Sequence, residues 1–196
     1  MVSHVDNVYG PCACSPLGKL VATSAPYAVG AGEVKPATDG TSNVAWTTYA
    51  YDGLGRTVAQ TAADGSVTSY VYAGNTTKVS DVTGKWKRYT TDGLGNLVKV
   101  EEPAPSGLVD SVVSNLVTLY SYDYWGHLTG VSMPRVVGSS TVTQTRTFNY
   151  DQTTGLLMSV ANPESGTVSY AYYASGRLQS TTDTMGQKVV YSYDGR

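Results

Sequence analysis

One feature governs what this chain can fold into: a Tyr-x-Tyr-Asp motif that keeps returning in register. Tyr49-Ala50-Tyr51-Asp52-Gly53-Leu54-Gly55-Arg56 comes back as Tyr120-Ser121-Tyr122-Asp123-Tyr124-Trp125-Gly126-His127-Leu128. It comes back as Phe148-Asn149-Tyr150-Asp151, with Gly155 one residue late. Tyr170-Ala171-Tyr172-Tyr173-Ala174-Ser175-Gly176-Arg177-Leu178 is a copy with Tyr in place of Asp. Tyr89-Thr90-Thr91-Asp92-Gly93-Leu94-Gly95-Asn96-Leu97 keeps the turn and loses the second Tyr. Tyr70-Val71-Tyr72-Ala73-Gly74 is shortened, and Tyr191-Ser192-Tyr193-Asp194 begins one more. The second aromatic position falls at 51, 72, 91, 122, 150, 172 and 193, a unit of about 21 residues with two longer gaps. A weaker signature lies between copies, a polar turn at Asp64-Gly65, Asp81-Val82-Thr83-Gly84, Asn162 to Gly166 and Asp183-Thr184-Met185-Gly186.

Each unit therefore reads as strand, turn, strand, turn, with strands of roughly seven residues. Side chains alternate along a strand, so the two rings of Tyr-x-Tyr share one face. The Asp that follows accepts hydrogen bonds from backbone N–H groups of the turn. The later Gly supplies the positive φ that a tight hairpin requires. The next apolar residue, such as Leu97, Leu128, Leu157 or Leu178, opens the returning strand. Stacked hairpins are expected to place Tyr beside Tyr across strands.

Composition agrees with this reading. Tyr, Thr and Val make up 67 of the 196 residues, Ile is absent and Leu reaches only 12, which favours pleated strands over Leu-striped helices. The expected fold class is all-β, stacked antiparallel hairpin repeats in a curved or spiralling sheet. Residues 46–196 form the repeat region, with insertions near 103–115 and 133–140. Residues 1–45 hold a degenerate copy at Cys14 to Leu20 and an Ala-, Gly- and Pro-rich loop from Ala25 to Asn43. Twelve of the sixteen Tyr fill the fourteen aromatic slots; Phe148 and Thr91 fill the other two.

Charged residues are 14% and the net charge is −2, which argues against a nucleic-acid partner. No run approaches the roughly 20 apolar residues of a membrane span. The N-terminus lacks the charged and apolar regions of a signal peptide. The chain stops inside a copy at Tyr193-Asp194-Gly195-Arg196 and is expected to be a piece of a longer protein.

At these residues the sequence resembles the Rhs or YD-repeat family. Tyr51-Asp52 with Gly55-Arg56, Tyr122-Asp123 with Gly126 and Leu128, and Gly176-Arg177-Leu178 carry the resemblance. It implies a spiralling β-sheet able to close as a hollow shell, which in bacterial members encloses a C-terminal toxin. It also implies a secreted or cell-surface parent, neighbouring repeats as the first partners, and an enclosed toxin or a surface glycan as further ones. Position 173 is Tyr and 73 is Ala where the family has Asp, and Asn96, His127 and Leu156 replace its Arg. No self-cleaving core region and no toxin is recognisable, so the chain looks like a segment of repeat wall.

The residues expected to build the repeat are Tyr49, Tyr51, Asp52, Gly55, Arg56, Tyr70, Tyr72, Tyr89, Asp92, Gly95, Tyr120, Tyr122, Asp123, Gly126, Phe148, Tyr150, Asp151, Gly155, Tyr170, Tyr172, Gly176, Arg177, Tyr191, Tyr193 and Asp194. Asp residues that recur from unit to unit do the same structural job each time, and no catalytic set is expected. His127 sits in the Arg slot of a turn. His4, Cys12 and Cys14 have a Cys-x-Cys spacing shorter than usual zinc motifs and no evident fourth ligand, so no metal or other cofactor is expected. Adjacent Glu101 and Glu102 point to opposite faces and form no catalytic pair. Trp86, Lys87 and Arg88 are the candidate ligand contacts, a basic-aromatic cluster suited to a sugar, and exposed Tyr and Trp give the alternative reading of a carbohydrate- or protein-binding module. Unpaired strand edges are expected to give weak self-association.

Overall fold

A computed structural model describes residues 2–12, 15–29, 44–103, 115–137 and 140–195. Every regular element among them is a β-strand, as the strand-forming composition requires. The chain divides into two compact units, Met1–Lys87 and Arg88–Arg196.

The first unit holds β1 (Val2–His4), β2 (Asn7–Cys12), β3 (Ser15–Ser24), β4 (Tyr27–Val29), β5 (Trp46–Tyr51), β6 (Thr57–Thr61), β7 (Val67–Ala73) and β8 (Thr76–Ser80). β1 and β4 form a separate antiparallel ribbon. The others lie in the order β2-β3-β5-β6-β7-β8, each antiparallel to the next. In the second unit β9 (Trp86–Thr91, its first two residues in the first unit), β10 (Leu97–Pro103), β11 (Asn115–Tyr122), β12 (Leu128–Val137), β13 (Ser140–Tyr150), β14 (Leu157–Asn162), β15 (Gly166–Tyr172), β16 (Leu178–Thr182) and β17 (Lys188–Val190) follow one another as sheet neighbours. β2 and β17 each pair on one side only.

The pleat sorts the sequence onto two faces. One carries the paired aromatics; the other carries small and polar residues such as Ala50, Ser121, Asn149 and Ser192 between them. No described side chain is fully enclosed, and the most buried apolar residues are Ala22 and Trp46, at 3% and 6% exposure. Stability therefore rests on the backbone ladder and on contacts between neighbouring hairpins more than on a dry core.

Three details differ from the expectations above. Directly opposite the first aromatic of each pair stand Gln60, Val79, Val100, Val131, Val160 and Thr181, not another Tyr. A unit is two strands deep, so aromatics recur at every second strand. Of the stretch 133–140, Met133 to Val137 and Ser140 belong to β12 and β13, which stay paired from Gly130↔Thr147 to Val137↔Ser140, and residues 138–139 lie outside the described residues. Tyr27–Val29, inside the segment read as a loop, pairs with Val2–His4 as strand. The rest of that loop from residue 30, and the 104–114 insertion, lie outside the described residues.

Candidate functional site

The site is the joint between one hairpin and the next, and it begins with the turn aspartate. Asp52 N–H donates to the Arg56 carbonyl at 2.9 Å and the Asp52 carbonyl accepts from Gly55 N–H at 2.9 Å. The Asp52 Oδ1 accepts from the N–H groups of Leu54 at 3.0 Å and Arg56 at 2.9 Å. Gly55 takes φ +76°, which an L side chain adopts only with strain. Asp92 and Asp123 repeat the pattern, with Gly95 at +89° and Gly126 at +83°. Asp151 does the same in a turn one residue longer, bonding to Thr153 and Thr154.

Two of the turns at the other end of the strands, read from sequence only as a weaker polar signature, have the same bonding. Asp81 binds the N–H of Thr83 and Lys85, and Asp183 that of Met185 and Gln187, with Gly84 at +80° and Gly186 at +79°. Tyr173 keeps the backbone bonds to Arg177 and Gly176 without a carboxylate.

The residue after the Gly then closes on the aspartate. Arg56 places Nε and Nη2 at 2.7 Å from Asp52 Oδ2, Asn96 Nδ2 lies 3.0 Å from Asp92 Oδ2, and His127 Nδ1 lies 2.9 Å from Asp123 Oδ2. An ionised carboxylate only accepts, so Nδ1 of His127 carries the proton. These side chains also reach the next unit. Arg56 Cζ is 4.3 Å from the Tyr72 ring centroid and Arg177 Cζ is 5.4 Å from that of Tyr193. His127 stacks on Tyr150 at 4.7 Å. Lys19 lies over Tyr51 at 5.6 Å, just after Gly18 with φ +76°.

The second Tyr completes the joint. Each Tyr-Asp hairpin with a Tyr51-like ring has a register shift just before it, between Ala50/Tyr51, Ser121/Tyr122, Asn149/Tyr150 and Ala171/Tyr172. Such a bulge leaves backbone groups out of the ladder. At three of these four shifts the hydroxyl of the following unit's second Tyr donates to the carbonyl there: Tyr72 to Thr57 at 2.8 Å, Tyr172 to Leu157 at 2.8 Å and Tyr193 to Leu178 at 2.9 Å. Tyr122 reaches Leu97 at 2.8 Å, beside the shift in β9–β10, and Tyr51 reaches Leu20 at 2.6 Å. Burial first, then the neighbouring first Tyr, raises the pKa of Tyr51, Tyr122 and Tyr172. Phe cannot make this bond, which accounts for Tyr rather than Phe at second-slot positions 51, 72, 122, 172 and 193. Phe148 stands in a first slot, where no such bond is made.

Hydrogen bonds hold the turn carboxyls below their ordinary range: Asp52 chiefly through Arg56 N–H, Asp81 through the Thr83 hydroxyl, Asp92 through the Asn96 amide and Asp151 through Thr154 N–H. At Asp123 burial pushes upward, and the bonds from His127 and Trp125 outweigh it. A depressed folded pKa stabilises above the unfolded value of about 3.9 and stops doing so as pH falls through the folded value. The melting temperature is therefore expected to hold steady from neutrality to about pH 5 and to fall steeply below about pH 4. Circular-dichroism melts across that range check this, and a flat profile down to about pH 2 contradicts it.

The basic-aromatic cluster is divided between structural partners. The Trp86 ring lies 5.1 Å from Lys78 Nζ. Arg88 pairs with Glu101 at 3.6 Å, and Lys99 approaches the same carboxylate at 3.1 Å. Lys87 is exposed on the opposite face of β9. Glu101 is itself buried at 9% exposure. Among the described residues no group of His, Cys, Asp and Glu is arranged to hold a metal; Cys14 and the Cys12 side chain lie outside them. No helix of the described residues is long and apolar enough to cross a membrane.

No family model and no curated protein matches the chain. Solved structures do. The crystal structure of TcdB2-TccC3-Cdc42 superposes with a TM-score of 0.60 at 19% identity, covering 86% of this chain and 9% of that one. The crystal structure of TcdB2-TccC3-TEV gives 0.58 at 17% identity, again over 86% of this chain and 9% of that one. This chain thus spans 9% of the length of the chains it matches. Motif and fold agree, and the chain carries the hairpin-repeat fold of the Rhs or YD-repeat family.

Proposed function

We propose that the chain is a length of structural wall in a larger Rhs-type protein, part of a shell around a C-terminal toxin in a secreted or surface-bound parent. One observation carries the reading: the repeat's polar groups are directed at neighbouring hairpins. Asp carboxylates bind their own turns, slot cations stack on the next Tyr, and Tyr hydroxyls bind the previous bulge. Groups so engaged hold a wall together and leave no nucleophile–base pair poised for chemistry. The likeness to TcdB2-TccC3 structures supports the fold on which this reading rests.

The test is protease protection of the polypeptide that follows residue 196 in the parent. Inside a shell that tail survives trypsin while the parent is native and is cut once urea opens it. Equal cutting in both states overturns encapsulation.

The open sides of β2 and β17 are proposed to give weak head-to-tail association. Val189 and Val190 on β17 are 55% and 65% exposed. Light scattering behind size exclusion is expected to show mass rising with concentration; a strictly monomeric species across a dilution series contradicts it. Glycan binding through Trp86, Lys87 and Arg88 is less favoured, because Lys78 and Glu101 already occupy two of the three.

A further inference from the structure

At one joint of the second unit the cation is missing while its seat is intact. At two joints the slot residue lies between an aspartate and a tyrosine ring: Arg56 between Asp52 Oδ2 and Tyr72, His127 between Asp123 Oδ2 and Tyr150. The corresponding slot after Asp151 holds Leu156. The turn still closes as the others do, with Asp151 N–H on the Leu156 carbonyl at 2.9 Å, Gly155 N–H on the Asp151 carbonyl at 2.8 Å and Gly155 at φ +70°. Tyr172 is still anchored, its hydroxyl on the Leu157 carbonyl at 2.8 Å.

What differs is the outer oxygen. Asp151 Oδ1 takes the N–H groups of Thr153 and Thr154 and the Thr154 hydroxyl. Oδ2, the atom that Arg56, Asn96 and His127 engage in the other turns, accepts no hydrogen bond from the described residues. A cleft of about 470 Å³ opens at this place, and Asp151, Leu156, Met158, Tyr172 and Tyr173 are among its lining residues. Carboxylate, aromatic ring and space coincide where Arg56 sits in its own joint. The unit's described arginines are engaged elsewhere: Arg88 with Glu101, Arg135 with the Val117 carbonyl, Arg146 with Glu164, Arg177 with Tyr193.

We propose that this cleft binds the guanidinium of an arginine side chain presented by a protein partner, with Asp151 Oδ2 as its counter-charge and the Tyr172 ring as its platform. The internal template selects arginine over lysine. Arg56 sets two nitrogens on one carboxylate oxygen while its plane lies near a ring, which a planar fork does and a compact ammonium does not. The Leu156 side chain supplies an apolar wall for the methylene stem. None of this depends on whether the parent forms a shell.

The probe is N-acetylarginine amide, with N-acetylcitrulline amide as its neutral isostere. Each is titrated into the whole chain while NMR follows the Met158 methyl and Tyr172 ring. The arginine probe is expected to shift both saturably and the citrulline probe to shift neither. Asp151→Asn keeps an oxygen for the turn but removes the charge, and is expected to weaken binding about tenfold or more. Leu156→Arg fills the seat from within and is expected to abolish binding. Equal shifts with both probes, or undiminished binding to Leu156→Arg, overturn the proposal. If either variant fails to fold, melting of the unaltered chain decides: the arginine probe must raise the melting temperature above the citrulline probe, and equal melting overturns it.

Discussion

Replacing Tyr51, Tyr72, Tyr122, Tyr172 and Tyr193 together by Phe is expected to remove about 5 kcal/mol of stability, from about 1 kcal/mol per lost hydrogen bond. Each substitution keeps the ring and deletes one oxygen. What it leaves behind is a carbonyl beside a bulge that has lost its donor. The five bonds belong to different joints, so their losses should add. The sum is on the order of a whole domain's net stability. Since repeat proteins hold together through nearest-neighbour interfaces, the loss should also break cooperativity, with hairpins melting in parts rather than together. Urea unfolding followed by circular dichroism measures both. Placing Phe instead at Tyr49, Tyr70, Tyr120, Tyr170 and Tyr191 is expected to cost far less.

Gly18→Ala is expected to be the most damaging of the turn-glycine substitutions, at about 3 kcal/mol. Two terms combine. Gly18 has φ +76°, and a non-glycine residue there costs roughly 1–2 kcal/mol. A Cβ at this position would also lie 2.5 Å from the Gly10 carbonyl oxygen, a backbone atom held by the β2–β3 ladder, and overpacking of that kind costs roughly 1–3 kcal/mol. Gly65 isolates the first term. Its φ is +81° and nothing lies within 4 Å of its Cβ position, so Gly65→Ala should cost only about 1–2 kcal/mol. Equal losses in urea titrations of the two variants contradict the steric part of the explanation.

How much of this was legible in the sequence depended on the range of the contact. The turn chemistry was, because Asp52, Gly55 and Arg56 lie within one turn and a positive φ has few residue solutions. The meander of hairpins was, because the unit length left room for two strands and two turns. The Tyr hydroxyl bonds were not. They join residues 15, 25 or 31 positions apart, and their acceptor is a carbonyl freed by a bulge, which no side chain announces. The one available signal was the refusal of the second slot to take Phe. The stacking role of the Arg slot was not legible, because the ring it meets, as Arg56 meets Tyr72, lies in the next unit. Next to the 133–140 stretch, Thr141, Val142 and Thr143 are strand formers that carry the ladder beyond the repeat length.

The joint is tested most directly by one pair of single substitutions in one strand. Tyr120 and Tyr122 share β11 and one face, but Tyr122 donates to Leu97 while Tyr120 stands opposite Val131. In urea unfolding, Tyr122→Phe is expected to cost about 1 kcal/mol and Tyr120→Phe less than about half of that. Equal losses, or a larger loss at Tyr120, would contradict a joint closed by the second tyrosine's hydroxyl.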